Sequence, residues 1–262
     1  MQKISILGCG WTGMPLAKKL KQLGFEVKGS TTTLAKIDDM QAHHIESFLI
    51  DITQQLWDKR FFDCDQLIIT VPPSRQPQVY QDTVTQALAS LHSTTRVILL
   101  SSISVYAQNQ DEVDEDSPLK AVDESSICQV EQQVRSQSNT FCMVRLGGLM
   151  GYDRTLTTYF SKKDTVHDRP VNYIHRDDVI QFLLRLIQDS NLNHNVYNLV
   201  APMHPTTQEI YQGIAPDDAK RIQWIPTTNK KVTSKYMPKD FVYHYPNPKH
   251  MFGEQSVLSK SK

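Results

Sequence analysis

Cysteine is scarce in this chain, and neither sign of charge is in excess. The 262 residues hold four cysteines, Cys9, Cys64, Cys128 and Cys142, and no spacing among them makes a C-x-x-C pair. That excludes a disulfide framework and a zinc knuckle, and it fits the reduced thiols of a cytosolic protein. Lys plus Arg numbers 28 and Asp plus Glu 28, so the formal net charge is zero. A chain that lives by neutralising nucleic-acid phosphates needs a basic excess or a basic face, and an acidic solvating chain is excluded as well. Long apolar runs are also missing. The longest are pieces such as 67–71 and 97–100, far short of the roughly 18 residues that a membrane span needs. The N-terminus enters a strand directly with no separate signal segment, so a cytoplasmic location is expected. The nine histidines are scattered, and His43-His44, the one adjacent pair, reads as structural or solvated. No metal site is expected.

What is present is a globular composition, 39% hydrophobic, long enough for one large domain or two small ones. Residues 2–7 read as a strand. Leu16, Ala17, Leu20 and Leu23 recur at helical spacing within 14–23, and Gly24 stops that helix at a C-cap position. Further strands are expected at 25–29, 46–50, 66–71 (closed by Pro72-Pro73), 96–100, 140–145 and 195–200. Helices are expected at 34–40, 78–91, 125–137 and 178–187. The acidic stretch 111–116 reads as a surface loop, the segment after Pro202 as a small lobe without strong periodicity, and 253–262 as a frayed polar tail. Strands alternating with helices imply a doubly wound α/β fold, a Rossmann-type parallel sheet of about seven strands that binds ligands at the carboxyl ends of its strands.

The most informative motif is Gly8-Cys9-Gly10-Trp11-Thr12-Gly13. A G-x-G-x-x-G pattern alone is weak, but here it follows a strand, opens a helix and sits in a strand–helix–strand unit of the right length. Gly8 permits the tight turn, Gly10 lets the backbone approach a pyrophosphate, and Gly13 lets the helix pack closely. Free N–H groups at the helix N-terminus then hold the anion. Trp11 either covers the cofactor or packs on the surface. After the second strand the chain reads Ser30-Thr31-Thr32-Thr33, with no carboxylate to bind both ribose hydroxyls. Small hydroxyl residues leave room for a 2′-phosphate, and Lys36 adds charge, so NADP is favoured over NAD. Asp51-Ile52, after the third strand, either borders the adenine or forms a strand-end turn.

Further segments carry a resemblance. Ser101-Ser102-Ile103-Ser104-Val105-Tyr106, Val113-Asp114-Glu115-Asp116-Ser117-Pro118, Arg145-Leu146-Gly147-Gly148-Leu149-Met150-Gly151, Asn172 to Asp178 and Tyr197-Asn198-Leu199 occur in that order. Together with the glycine loop they resemble the extended short-chain dehydrogenases, the group of NAD-dependent epimerases and dehydratases. The TVPPS and YPNP segments point to an atypical subgroup similar to the bacterial YeeZ-like proteins. The resemblance implies that Ser102 is the catalytic hydroxyl and that Ser104 contacts substrate. It implies a cofactor site of Gly8, Gly10, Trp11, Thr12, Gly13, Ser30, Thr31, Thr32, Asp51, Ile52, Val71, Pro72 and Ser101.

The chain departs from that group at one functional point. The Tyr-x-x-x-Lys pair that serves as acid/base and lowers the tyrosine pKa is absent, and Asp123 and Ile127 stand at the matching positions. A positioned acid/base contributes roughly 10²- to 10⁴-fold. Asp123, Tyr106 and Tyr152 are the candidate substitutes. Against them stand a helix N-cap for Asp123 and turn packing for the tyrosines. His175 and Asp178 read as helix-entry structure ahead of chemistry.

The expected organisation is a dinucleotide-binding domain over 1–200, with 150–172 contributing to the substrate lobe, and a small lobe over 201–262. The expected function is an NAD(P)-binding oxidoreductase or epimerase-like protein for a small or sugar-like molecule. The alternative is a non-catalytic NAD(P)-binding sensor. A β-hydroxyacid-dehydrogenase-like reading of the glycine loop is disfavoured by the proline-rich region after residue 200. The expected partner is a small-molecule substrate, with no nucleic acid and no membrane, and a homodimer is left open.

Overall fold

The computed structural model describes residues 1–73, 76–108 and 110–252. The expected polar tail at 253–262 lies outside the described residues, as do Arg75 and Ser74, the last residue of the TVPPS segment.

The first strand, β1 (Lys3–Leu7), is buried beyond its first residue and runs into the glycine turn. Helix α1 (Gly13–Gln22) buries Gly13, Leu16, Ala17 and Leu20, one stripe at helical spacing. It stops where Gly24 takes φ +86° and donates its N–H to the Lys21 carbonyl, a backbone turn that glycine adopts without strain. Next come β2 (Glu26–Thr31), α2 (Ile37–Ala42) and β3 (Glu46–Leu49). Strand β4 (Gln66–Ile69) is buried throughout and ends ahead of the two prolines. Helix α3 (Pro77–Ala89) starts on Pro77, whose missing N–H costs nothing in the first turn. Strand β5 (Arg96–Ser102) ends on the serine pair, and β6 (Glu112–Val113) follows. Helix α4 (Ser126–Gln137) is capped by Ser125, which accepts from the Cys128 N–H, and β7 (Thr140–Leu146) follows it.

The remaining elements are β8 (Gly148–Met150), α5 (Leu156–Phe160), β9 (Thr165–Asp168), β10 (Tyr173–His175), α6 (Arg176–Gln188), β11 (Val196–Leu199), α7 (Thr207–Ile214), α8 (Pro216–Arg221), β12 (Gln223–Pro226) and β13 (Lys231–Val232).

Seven strands form one parallel sheet in the order β11-β7-β5-β4-β1-β2-β3. The chain builds outward from β1 to β3, returns to β4 on the other side of β1, and continues to β11. The reversal makes the carboxyl ends of β1 and β4 the topological switch point, where such sheets bind ligands.

The chain divides into two compact units. One comprises Met1–Val105, Leu119–Arg145 and Leu184–Val196. Its core gathers Leu7, Phe48, Phe61, Phe62, Leu67, Ile69, Tyr80, Val84, Val97, Leu99, Val130 and Met143. The other comprises Tyr106–Pro118, Leu146–Leu183 and, among the described residues, 197–252. Its core is built on Met150, Leu156, Val166, Val171, Ile210, Tyr211, Ile222 and Met251. Three short parallel pairings, β8 with β10, β9 with β12 and β6 with β13, hold that second unit together.

The acidic stretch at 111–116 is only in part the surface loop that its charge suggests: Asp111, Glu112 and Asp116 are exposed. Val113 is buried in β6, paired to Val232 of β13. Glu115 is buried too, because its carboxylate accepts the Asn198 and Lys235 backbone N–H groups. No helix among the described residues is long and apolar enough to cross a membrane.

Candidate functional site

The glycine loop follows β1 at the switch point. Gly8 has φ +102°, a conformation that side-chain-bearing residues rarely adopt. Its N–H donates to Ser30 Oγ at 2.9 Å, and its carbonyl accepts from Thr70 Oγ1. The next N–H, of Cys9, donates to the Ser30 carbonyl at 2.6 Å, and the Gly10 N–H returns to the Gly8 carbonyl at 2.7 Å. A Cβ on Gly13 would lie 2.3 Å from the Gly8 carbonyl oxygen, so α1 packs on the loop at a distance only glycine allows. A Cβ on Gly10 would meet nothing within 4 Å. Thr12, the residue preceding α1, gives its N-terminus no side-chain cap. Open ground above Gly10 beside an uncapped helix N-terminus fits a dinucleotide pyrophosphate, which backbone N–H groups and the helix dipole favour. Trp11 is half-buried at the loop. Burial pushes the Cys9 thiol up to about 12, so it stays protonated beneath the loop.

The hydroxyl residues after β2 divide. Ser30 is buried and serves the loop. The Thr31 hydroxyl accepts the Thr33 N–H at 3.1 Å, which shapes the turn. Thr32, Thr33 and Lys36 stand exposed beyond it. Asp51, read as either an adenine neighbour or a strand-end turn residue, caps its own turn: its carboxylate accepts from the Thr53 N–H at 2.9 Å, from Thr53 Oγ1 at 2.7 Å and from Gln54 Nε2 at 3.2 Å. Ile52 is half-buried in that turn. Val71 is half-buried and Pro72 exposed after β4. Thr70, the first residue of the TVPPS segment, has no site role in the sequence reading, yet its hydroxyl also reaches the Leu7 carbonyl at 3.2 Å.

At the end of β5 the serines take different parts. Ser101 is buried and donates to Glu131 Oε1 at 2.6 Å. The same carboxylate takes two bonds from Arg145, from Nε at 3.0 Å and Nη2 at 2.7 Å. Arg145 and Glu131 are 1% and 2% exposed, so Ser101 belongs to an interior ion-pair network. Ser102 is half-buried, and its Oγ accepts the Ser104 N–H at 3.1 Å. Ser104 is exposed. Asp123 lies exposed in a turn ahead of α4, whose N-cap is Ser125 and not Asp123. Ile127 is half-buried in the first turn of α4.

The second unit holds the two candidate tyrosines. Tyr106 is fully buried and donates to Asn198 Oδ1 at 2.6 Å. Tyr152 has φ +58° and donates to both carboxylate oxygens of Asp177, at 2.8 and 2.9 Å. The Arg176 guanidinium lies 3.7 Å from its ring centre. Burial and the Asp177 carboxylate push the Tyr152 pKa up. Both hydroxyls are thus committed as donors to fixed acceptors, which suits packing and not proton transfer. His175 ends β10 fully buried, its Nδ1 accepting the Asp177 N–H at 3.2 Å and its ring 3.8 Å from that of Tyr245. Asp178, in the first turn of α6, accepts the His244 N–H at 2.6 Å and the Tyr245 N–H at 3.2 Å. Both residues order the entry to α6.

A family described as NAD(P)H-binding matches residues 8–190. The protein YeeZ of Escherichia coli strain K12 is 33% identical over 231 residues, covering 82% of this chain and 83% of YeeZ. The putative NAD-dependent epimerase/dehydratase of Methylobacillus flagellatus superposes with a TM-score of 0.76 at 21% identity, over 98% of each chain. The human epimerase family protein SDR39U1, solved with NADPH, superposes with a TM-score of 0.66 at 16% identity, over 95% of this chain and 97% of that one.

Proposed function

The chain belongs to the NAD(P)H-binding family and is a homologue of YeeZ, and on that premise we propose that it is an NADP-preferring oxidoreductase or epimerase-like enzyme for a small or sugar-like molecule. The pyrophosphate sits over Gly8 to Gly13 on the α1 N-terminus. Thr32, Thr33 and Lys36 receive the 2′-phosphate, since the Ser30 and Thr31 hydroxyls already serve the loop and its turn. Ile52 borders the adenine, and Val71 and Pro72 line the approach beyond β4. When bound, the nicotinamide supplies the hydride donor or acceptor.

One observation carries the enzymatic reading. Ser102 closes β5 at the carboxyl edge of the sheet with its oxygen accepting the Ser104 N–H. That bond orients the hydroxyl and leaves its proton to donate to a substrate oxygen. Ser104, exposed one turn on, is the neighbouring substrate contact. The test is a panel of carbonyl and sugar compounds followed through the absorbance of the reduced cofactor. Turnover of one class, lost about 10²-fold or more in Ser102→Ala while NADPH binding is kept, supports the enzyme.

A second reading has its own observation. Where the related enzymes carry their tyrosine and lysine, this chain has an exposed Asp123 and the half-buried aliphatic Ile127. That favours a protein that binds NAD(P) and responds to it without chemistry. No turnover across the panel, with cofactor binding intact in both wild type and Ser102→Ala, would select it.

A further inference from the structure

We infer that Thr70 and Ser30 are positioning residues for the dinucleotide, two hydroxyls that hold the Gly8 peptide groups from opposite sides and so aim the N–H groups of the loop. The inference rests on dinucleotide binding at Gly8 to Gly13. Ser30 comes from β2 and Thr70 follows β4, the two strands that flank β1. Ser30 Oγ accepts the Gly8 N–H at 2.9 Å, and Thr70 Oγ1 donates to the Gly8 carbonyl. The Ser30 carbonyl also takes the Cys9 N–H.

The arrangement matters because Gly8 is the residue at φ +102°. A glycine there has the widest conformational freedom in the chain and loses the most on being fixed. Side-chain bonds to both of its polar groups fix it before any ligand arrives. The Thr70 hydroxyl also fills the niche beneath α1, since a Cβ on Gly13 would meet it at 2.9 Å and the Gly8 carbonyl at 2.3 Å. The same hydroxyl thereby sets where α1 begins relative to the turn. The N–H groups of residues 11–13 inherit their direction from these contacts. In this arrangement both hydroxyls act through Gly8.

Threonine to valine keeps the side-chain shape and removes the donor, which leaves the Gly10 N–H as the donor to the Gly8 carbonyl. The experiment titrates NADPH by calorimetry into wild type, Thr70→Val, Thr70→Ser and Ser30→Ala. Adenosine 2′-monophosphate, which lacks the pyrophosphate, is the control ligand. Thr70→Val is expected to weaken NADPH about tenfold, in line with the loss of one well-made hydrogen bond in a partly buried site. Its affinity for the monophosphate should change less than about twofold, and Thr70→Ser should bind NADPH within about threefold of wild type. Ser30→Ala should follow Thr70→Val and should also speed amide exchange at Gly8 in the cofactor-free protein. Two results overturn the inference alone: Thr70→Val binding NADPH as wild type does, or weakening for both ligands in equal proportion. A wild type that binds no NADPH overturns dinucleotide binding itself, and the inference with it.

Discussion

Glu131 and Arg145 show what a single interior pair does in the nucleotide-binding unit. The pair is 2% and 1% exposed, doubly hydrogen-bonded, and extended by the Ser101 hydroxyl. A buried ion pair recovers its desolvation cost only with such complete bonding, and removing one partner strands a charge. Arg145→Met is therefore expected to cost about 3–5 kcal/mol in urea unfolding, while Glu131→Gln combined with Arg145→Met recovers part of that loss. Equal costs for the single and double variants would show that packing, not the stranded carboxylate, dominates. These residues also mark where sequence reasoning stopped. Ser101 was legible as a residue at a strand end facing the cofactor region, but a one-dimensional pattern does not say which way a hydroxyl turns. Its bond to Glu131 joins residues thirty positions apart. The role of Thr70, though it opens the TVPPS segment, was invisible for the same reason: it lies in reaching across to β1, and threonine ahead of two prolines looks like any strand end.

At the scale of elements, the sheet was legible where burial is continuous and the glycine-to-helix signals are local. β1, α1, β4 and β5 lie within two residues of their expected bounds, because apolar runs, Gly24 and Pro72-Pro73 act on their own neighbourhoods. The short pairings of the second unit were not legible. β6 and β13 are two residues each and exist only because they meet. The junction of β10 with α6 carries a consequence for pH. His175 is wholly buried, and burial lowers its pKa from 6.5 to about 4, against the opposing pull of the Asp177 carboxylate and with the help of Arg176 and His244. The unfolded chain therefore takes up a proton below about pH 6.5 that the folded chain refuses until near pH 4. Stability due to His175 is present in full above pH 6.5 and is lost as pH falls through that window. Asp178, whose pKa burial raises from 3.8, works in the opposite direction over the lower part of the window. The expected result is a wild-type melting temperature that falls between pH 7 and pH 5, with a shallower fall in His175→Asn, whose amide oxygen can still accept the Asp177 N–H. Parallel slopes in the two proteins would remove His175 as the cause.

For the whole molecule, the absence of net charge sharpens how an anionic cofactor is held. With 28 charges of each sign, the net charge gives a dinucleotide no overall attraction. In the proposed site the pyrophosphate is met by oriented backbone N–H groups, which carry no formal charge. In that site the exposed Lys36 is the side-chain cation offered to the 2′-phosphate. The two phosphate sites should then respond differently to salt. Binding at the loop persists, whereas the Lys36 contribution is screened within about 8–10 Å at physiological ionic strength. A ligand present at about 100 times its Kd stabilises the native state by about 2.7 kcal/mol, or about 5–10 °C for a chain of this size. NADPH should reach that shift, and NADH at the same concentration should fall short by about 3–5 °C if it binds about tenfold more weakly. Lys36→Ala or high salt should close the gap by lowering the NADPH shift while leaving the NADH shift in place. Equal shifts for the two cofactors in the wild type at low salt would refute the NADP preference. A gap that survives Lys36→Ala unchanged would move the preference from the lysine to the hydroxyls of Thr32 and Thr33.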